Sequence, residues 1–317
     1  MSIIEQPRAD SAPQKFFDPK ITADGSTRAS VDLRALDTLW INTGTLCNLT
    51  CERCSIESSP TNDRLTYISR TEVAVYLDEI RELGLATREI GLTGGEPFMN
   101  PDVITILDDV LSRGFDALVL TNAMTPLKHH REALLGLQER YGAALTLRVS
   151  LDHYTEARHE EERGPFSWAR TIDGLQWLAQ NGFSLAVAGR SLWHEDENAT
   201  RAGYAKLFAD LDIPVDAGDA GQLVIFPEMD EAAAVPEITT ACWDIFSVRP
   251  DTLMCATSRM VVKRNGATRP TVVACTLLPY DPQFEIGQTL ADADQSVRLN
   301  HPHCASFCVL GGGSCSA

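Results

Sequence analysis

Nine cysteines are spread unevenly along the chain, and their spacing is its clearest chemical signal. Three fall in Cys47-Asn-Leu-Thr-Cys51-Glu-Arg-Cys54, none lies between Ser55 and Ala241, and six lie between Cys242 and Cys315. Three thiolates on one short loop can wrap one face of a metal centre. Soft thiolates select iron–sulfur clusters, zinc or Cu(I). A structural zinc ion takes four ligands, and no fourth Cys or His stands close to this loop in sequence. A four-iron cluster held by three cysteines keeps one iron open to a substrate. That centre is the expectation for Cys47, Cys51 and Cys54, with zinc and incidental thiols as alternatives.

The tail carries a second set. Arg259–Lys263 and Thr271–Ala274 are β-rich and flank Asn265-Gly266, a strong turn dipeptide. A hairpin turning there brings Cys255 and Cys275 together at its open end. Cys304-x3-Cys308-x6-Cys315 supplies further thiols. Four thiolates close a [4Fe–4S] cluster. A zinc ribbon drawing on His301 and His303 is the alternative. Cys242 reads as a further ligand, as a substrate-facing thiol that donates a proton or hydrogen atom, or as an inert buried cysteine beside Trp243.

The elements that must position these groups alternate. Strands are expected over Leu36–Leu46, Glu89–Thr93, Ala117–Leu120, Leu145–Leu151, Ser184–Ala188 and Leu223–Phe226. Helices are expected over Thr71–Leu83, Pro101–Ser112, Leu127–Arg140, Trp168–Gln180 and Arg201–Leu211. Ser69 reads as an N-cap and Gly84 as a C-terminal stop. The acidic run Glu160–Glu162 reads as a solvated loop. Short apolar strands without alternation suit a parallel sheet buried on both faces. Six strand–helix alternations fit a partial barrel or a doubly wound sheet, and periodicity alone does not separate them. In either case chemistry gathers at the C-terminal strand ends. Cys47, Gly94–Glu96, Thr121-Asn122 and Ser150–Asp152 all stand there. The two glycines let backbone approach a ligand closely, their carbonyls can accept from an ammonium group, and Glu96 adds charge for the same cation. The plain alternative is a strand-to-helix turn. Asn122 otherwise makes an Asx-turn.

Composition narrows the class. The chain has 317 residues, 44% of them apolar, so a sizeable core is available and two domains are the soft expectation. A net charge of −17 argues against a nucleic-acid binder working by phosphate neutralisation. No apolar run is long enough to span a membrane, and no secretory signal is visible. The reducing cytoplasm is therefore the expected compartment, where nine cysteines do not form a disulfide framework.

The cysteine loop after the first strand, with Gly94-Gly95-Glu96-Pro97 one strand later, resembles the radical S-adenosylmethionine (radical SAM) superfamily over roughly residues 38–230. The resemblance implies an α/β fold, a partial (β/α)6 barrel, with Cys47, Cys51 and Cys54 holding a [4Fe–4S] cluster whose open iron chelates SAM. It implies that Gly94, Gly95 and Glu96 bind the SAM amino group, that Asn122, Ser150 and Asp152 lie near SAM, and that Arg163, or else Arg158, pairs with its carboxylate. The family usually has an aromatic residue before the third cysteine, where this chain has Arg53, and Thr-Asn-Gly where it has Ala123. The tail resembles the cysteine-rich extension called SPASM or its shorter relative twitch. That implies a small C-terminal, hairpin-containing iron–sulfur domain with one auxiliary [4Fe–4S] cluster, or two, on Cys255, Cys275, Cys304, Cys308 and Cys315. The organisation expected is an N-terminal arm over 1–35, the core over 36–235 and the auxiliary domain over 236–317. The activity implied is an oxidoreductase that cleaves SAM to a 5′-deoxyadenosyl radical and abstracts a substrate hydrogen. A peptide to be oxidised or crosslinked is the leading substrate, with a small polar metabolite such as an amino sugar alcohol as the alternative. A flavodoxin- or ferredoxin-type reductant is implied. A separate peptide-recognition protein would serve a chain with too short an arm for a recognition domain. The competing class is a non-catalytic iron–sulfur or zinc scaffold.

Overall fold

The computed structural model describes residues 14–230 and 232–314. Six strands, β1 (Thr38–Asn42), β2 (Glu89–Thr93), β3 (Asp116–Thr121), β4 (Leu145–Ser150), β5 (Ser184–Arg190) and β6 (Leu223–Phe226), lie side by side in chain order, each parallel to the next. A doubly wound sheet reverses its strand order at the middle. This one does not, so the fold is α/β with an open, partial (β/α)6 barrel. The crossovers are α1 (Arg70–Glu82), α2 (Val103–Ser112), α3 (Arg131–Tyr141), α4 (Glu156–Arg163) with α5 (Ser167–Gln180), and α6 (Glu197–Asp210).

The tail extends the same sheet. β7 (Ser258–Val262) pairs in parallel with β1, and the antiparallel β8 (Thr271–Val273) and β9 (Glu285–Gly287) follow it outward. The hairpin expected around Asn265-Gly266 is therefore present, with Met260 opposite Val273 and Val262 opposite Thr271.

Strand alternation splits the core in two. Leu39, Ile41 and Val119 face the helices in one apolar cluster, while Trp40 and Leu118 face the tail in another. That second cluster contains Met260, Val262, Phe307, Cys255 and Cys304. The fully buried Trp40 indole has room because its neighbour is Gly91, where a Cβ would lie 2.3 Å from the ring. The arm is woven into the same cluster. Ser30–Val31 pairs antiparallel with Val297–Arg298, and the buried Arg28 meets Glu237 at 2.5 Å.

Local signals set the helix ends. Ser69 and Glu72 form a capping box at α1, and Gly84 follows it at φ +63. Asp196 caps α6 five residues before the expected start of the helix at Arg201. The helix expected over Leu127–Arg140 is broken into Thr125–Lys128 and α3. The stretch holding Glu160–Glu162, expected to be a solvated loop, is instead α4, and Glu162 is buried. Its single apolar residue leaves no periodicity to read; Glu162 is buried by pairing with Arg53 and Arg190, and His159 by packing edge-on against Trp168. Among the described residues no helix is long and apolar enough to cross a membrane.

Candidate functional site

A cavity of about 210 Å3 opens at the C-terminal ends of the parallel strands. Cys47, Cys51 and Cys54 line it together with Gly94, Gly95, Asn122, Ser150, Asp152 and Arg163. Gly44, at φ +115, turns the chain out of β1 towards the cysteine loop. The loop is then pinned on both sides. Gly95 N–H donates to Gly44 O at 2.8 Å and Glu96 N–H to Leu46 O at 3.1 Å. Glu52 N–H donates to Glu162 O at the end of α4, at 2.8 Å.

The glycines serve this contact first. A Cβ on Gly95 would lie 2.2 Å from Leu46 O, and one on Gly94, at φ +132, would lie 2.4 Å from Gly44 O. A close approach is thus made to the start of the cysteine loop, and the same two glycines also line the cavity. Glu96 also works on the protein. Its carboxylate accepts from Thr121 Oγ1 at 2.8 Å, Asn122 N–H at 2.8 Å and Phe98 N–H at 3.2 Å, tying the end of β2 to the end of β3. It is 2% exposed and is not among the residues that line the cavity. Burial pushes its carboxyl up to about 7, against the pull of those three hydrogen bonds.

Asn122 donates to Asn48 Oδ1 at 2.9 Å and towards Cys47 Sγ at 3.9 Å. Ala123 follows in the left-handed region, at φ +57. Arg163 makes a fork onto Asp152, with Nε–Oδ2 at 2.7 Å and Nη2–Oδ1 at 3.0 Å. Burial alone would raise the Asp152 carboxyl, but the Arg163 charge and its hydrogen bonds outweigh it and hold Asp152 below the usual range. Arg163 is thus already engaged bidentately. Arg158 points elsewhere, pairing with Glu195 and lying 5.6 Å from the Trp193 ring centroid. Arg53 lines the cavity and pairs with the buried Glu162.

Sequence reasoning missed Arg190. It closes β5, two residues beyond the expected strand end, lines the cavity and donates through Nη1 to Arg53 O at 2.9 Å. Its Nε and Nη2 are buried and have no hydrogen-bond partner. The Ser58 hydroxyl and Asn42 Nδ2, also in the cavity wall, are orphaned as well. A basic residue ending an otherwise apolar strand was the signal available.

The donor set fits a cluster with a ligand beside it. Burial pushes the Cys47 thiol up to about 12 and raises Cys51 too, although Arg163 opposes the latter. Such thiols become thiolates when a cation takes the place of their protons. Leu49 N–H and Ser58 N–H lie 3.4 and 3.3 Å from Cys47 Sγ and Cys54 Sγ, contacts that stabilise sulfur charge. Arg190 Nε and Nη2, Ser58 Oγ and Asn42 Nδ2, each without a hydrogen-bond partner, suit a polar ligand in the same cavity.

In the tail, Cys255 and Cys304 are buried, and burial raises both thiols. The thiols of Cys275 and Cys255 act electrostatically on Cys304. Cys308 lies nearly one turn beyond Cys304 in a π-helix, Cys304–Val309, a form common at functional sites. Cys315 lies outside the described residues. Among those described, no three Cys, His, Asp or Glu side chains converge on a point for a single ion. The tail also walls the cavity, through Thr276, Leu277 and Phe307, whose ring lies 5.7 Å from that of Phe226. Cys242 does not reach the cavity. It begins a short helix, Cys242–Phe246, buried in the tail cluster, and its sulfur accepts from Thr239 N–H at 3.4 Å, which argues against the substrate-facing role.

Comparisons with known proteins agree with this geometry. A family model described as the Radical SAM superfamily matches residues 41–199. The chain is 28% identical over 300 residues to the antilisterial bacteriocin subtilosin biosynthesis protein AlbA of Bacillus subtilis (strain 168), covering 89% of this chain and 62% of AlbA. It is 29% identical over 147 residues to the AdoMet-dependent heme synthase of Methanosarcina barkeri (strain Fusaro / DSM 804), covering 44% of this chain and 38% of that one. In fold it is similar to Streptococcus suis SuiB bound to precursor peptide SuiA, with a TM-score of 0.59 at 14% identity over 83% of this chain and 66% of SuiB.

Proposed function

The chain belongs to the radical SAM superfamily, and from that premise we propose that it is an oxidoreductase that modifies a peptide by oxidation or crosslinking. The observation that carries this reading is the cavity itself. It joins the three-thiol loop to a wall of Phe226, Met229, Leu277 and Phe307, so that a radical made at the loop meets a substrate held against the tail. The similarity to AlbA, which extends over 89% of the chain, supports a peptide as the substrate.

Cys47, Cys51 and Cys54 would hold a [4Fe–4S] cluster, which when loaded supplies the electron that cleaves SAM to methionine and a hydrogen-abstracting 5′-deoxyadenosyl radical. The Gly94-Gly95 backbone and the side chains of Asn122 and Ser150 would line the SAM pocket. Arg190 has the unpaired N–H groups a SAM carboxylate needs, while Arg163 is held by Asp152 and supplies charge to the wall. Glu96 sets the pocket by fastening β2 to β3. Cys255, Cys275, Cys304 and Cys308, with Cys315 beyond the described residues, would hold an auxiliary [4Fe–4S] cluster able to accept one electron from the substrate radical. A flavodoxin- or ferredoxin-type protein would serve as reductant. A separate recognition protein would present the peptide, and the cytoplasm would be the compartment.

The test is anaerobic reconstitution with iron and sulfide, followed by SAM, dithionite and each short peptide encoded beside the gene. The reading expects 5′-deoxyadenosine together with a peptide lighter by two hydrogen atoms per modification. Abundant 5′-deoxyadenosine with every such peptide unchanged, and turnover of a polyol instead, would move the assignment to a small metabolite.

A further inference from the structure

Arg259, in β7, is 1% exposed, yet none of the partners of its guanidinium is a carboxylate. Four main-chain carbonyls hold it: Cys255 O at 2.6 Å, Ser258 O at 2.8 Å, Gln295 O at 3.0 Å and Ala293 O at 3.1 Å. The other deeply buried guanidiniums described above have acids. Arg28 has Glu237, and Arg163 has Asp152. A buried charge is costly unless an opposite charge or a full set of dipoles compensates it. The carbonyls compensate Arg259 in part and also fix where its charge sits.

That place is near two of the tail thiols, Cys255 and Cys275, while the cation acting on Cys304 is Arg28. Cys255 is held directly through its carbonyl, and Cys275 follows β8 two residues after Val273, which pairs with Met260. The charges that act on Arg259 are those of Cys255, Asp294 and Cys275. Asp294 is exposed, so water screens it, whereas Cys255 is buried.

We infer that Arg259 is the fixed counter-charge of the auxiliary cluster, a positioning residue that raises the cluster's reduction potential. This rests on the proposed four-thiolate site in the tail. A [4Fe–4S] core of charge 2+ with four thiolates carries net charge −2, and −3 after gaining one electron. A permanent cation alongside favours the −3 form, and net charge is one of the levers that set cluster potentials. The electron comes from the substrate radical, which also loses a proton, and leaves to the flavodoxin- or ferredoxin-type partner.

The test is an EPR-monitored redox titration of full-length protein in which Cys47, Cys51 and Cys54 are replaced by Ala, so that only the tail cluster is read. With Arg259→Gln the reduced-to-oxidised ratio at fixed potential should fall at least tenfold, a midpoint lower by about 59 mV for one electron. Arg259→Lys keeps the charge and should stay within threefold of the parent. An occupied cluster with an unchanged ratio in Arg259→Gln overturns the inference. If Arg259→Gln does not hold iron, Arg259→Lys decides. Iron retained at the parent ratio supports a role through charge, and iron lost or a tenfold fall overturns it. A parent protein with no iron in the tail overturns the auxiliary site itself, which is a distinguishable result.

Discussion

The two thiol sites differ in how they are built. Cys47, Cys51 and Cys54 come from one loop at the end of β1, open on a cavity and surrounded by polar groups that still lack partners. The tail thiols come from three separate segments: the stretch before β7, the stretch after β8 and a π-helix near the C-terminus. Cys255 and Cys304 are buried in an apolar cluster that also holds Trp40 of the core sheet. The first site is arranged for a ligand to enter. The second is packed away from water, with the buried Arg259 near Cys255 and Cys275 and the buried Arg28 acting on Cys304. On the proposed reading, this would separate radical generation in one region from electron acceptance in the other.

Replacing Cys47, Cys51 and Cys54 together with Ala gives the largest expected effect. SAM cleavage should vanish, while iron falls only from about eight to about four atoms per chain. Loss of all iron from a variant that keeps its far-UV circular dichroism would mean that the two sites do not load independently.

Replacing Cys255 and Cys275 with Ser attacks the other side of the comparison. Peptide product should disappear while slow SAM cleavage persists. Because cluster binding is folding energy for a tail with a small core, limited proteolysis should cut within residues 236–317 and spare the barrel. Full product formation by this double variant would reduce the tail to a wall of the cavity.

Asp152→Asn sharpens the electrostatic part. It leaves the buried Arg163 guanidinium without its acid, at a cost of about 3–5 kcal/mol in denaturant unfolding. SAM affinity, measured by calorimetry, should fall as well. Unchanged stability would mean that water or Cys51 already compensates Arg163.

The smallest effect is expected at Glu96, in protein without cluster or SAM. Burial in the folded protein pushes its carboxyl up from the ordinary 4.5 to about 7. The native state therefore binds the proton more tightly than the unfolded chain. The stability this contributes is complete below about pH 4.5 and is lost as the pH rises through about 7. Glu96→Gln is neutral throughout, so it should be the more stable protein at pH 8, by about 1–3 kcal/mol, and lose that advantage at pH 4.5. A difference in thermal midpoint that does not vary with pH would show that Glu96 does not titrate in this range.

Much of this was legible before the fold. Continuous apolar strands, an N-cap at Ser69 and turn signals at Gly84 and Asn265-Gly266 act within a few residues, so they can be read from spacing. The loop of Cys47, Cys51 and Cys54 is local in the same way. What stayed hidden depends on neighbours far along the chain. Glu162 reads as one acid in a solvated run, and only Arg53 from the cysteine loop and Arg190 from the end of β5 make it a buried partner. Arg163 reads as free for a ligand, and only Asp152, brought beside it by the α4 helix, shows it engaged in a fork, while Arg190 keeps two unpaired N–H groups, Nε and Nη2, beside its contacts to Arg53 O and Glu162.

The sequence by itself therefore determined the α/β alternation, the family and the three-thiol loop, because each is specified by residues near one another in the chain. Tertiary structure separated the partial barrel from the doubly wound sheet that periodicity left open, and it decided the extension of that sheet by β7 to β9 and the placing of a buried cation near Cys255 and Cys275. It also decided which arginine keeps unpaired N–H groups in the cavity. The physical reason is common to all four. Each depends on burial and charge pairing between segments that meet only when the sheet closes over its core, and neither quantity is a property of any one stretch of sequence.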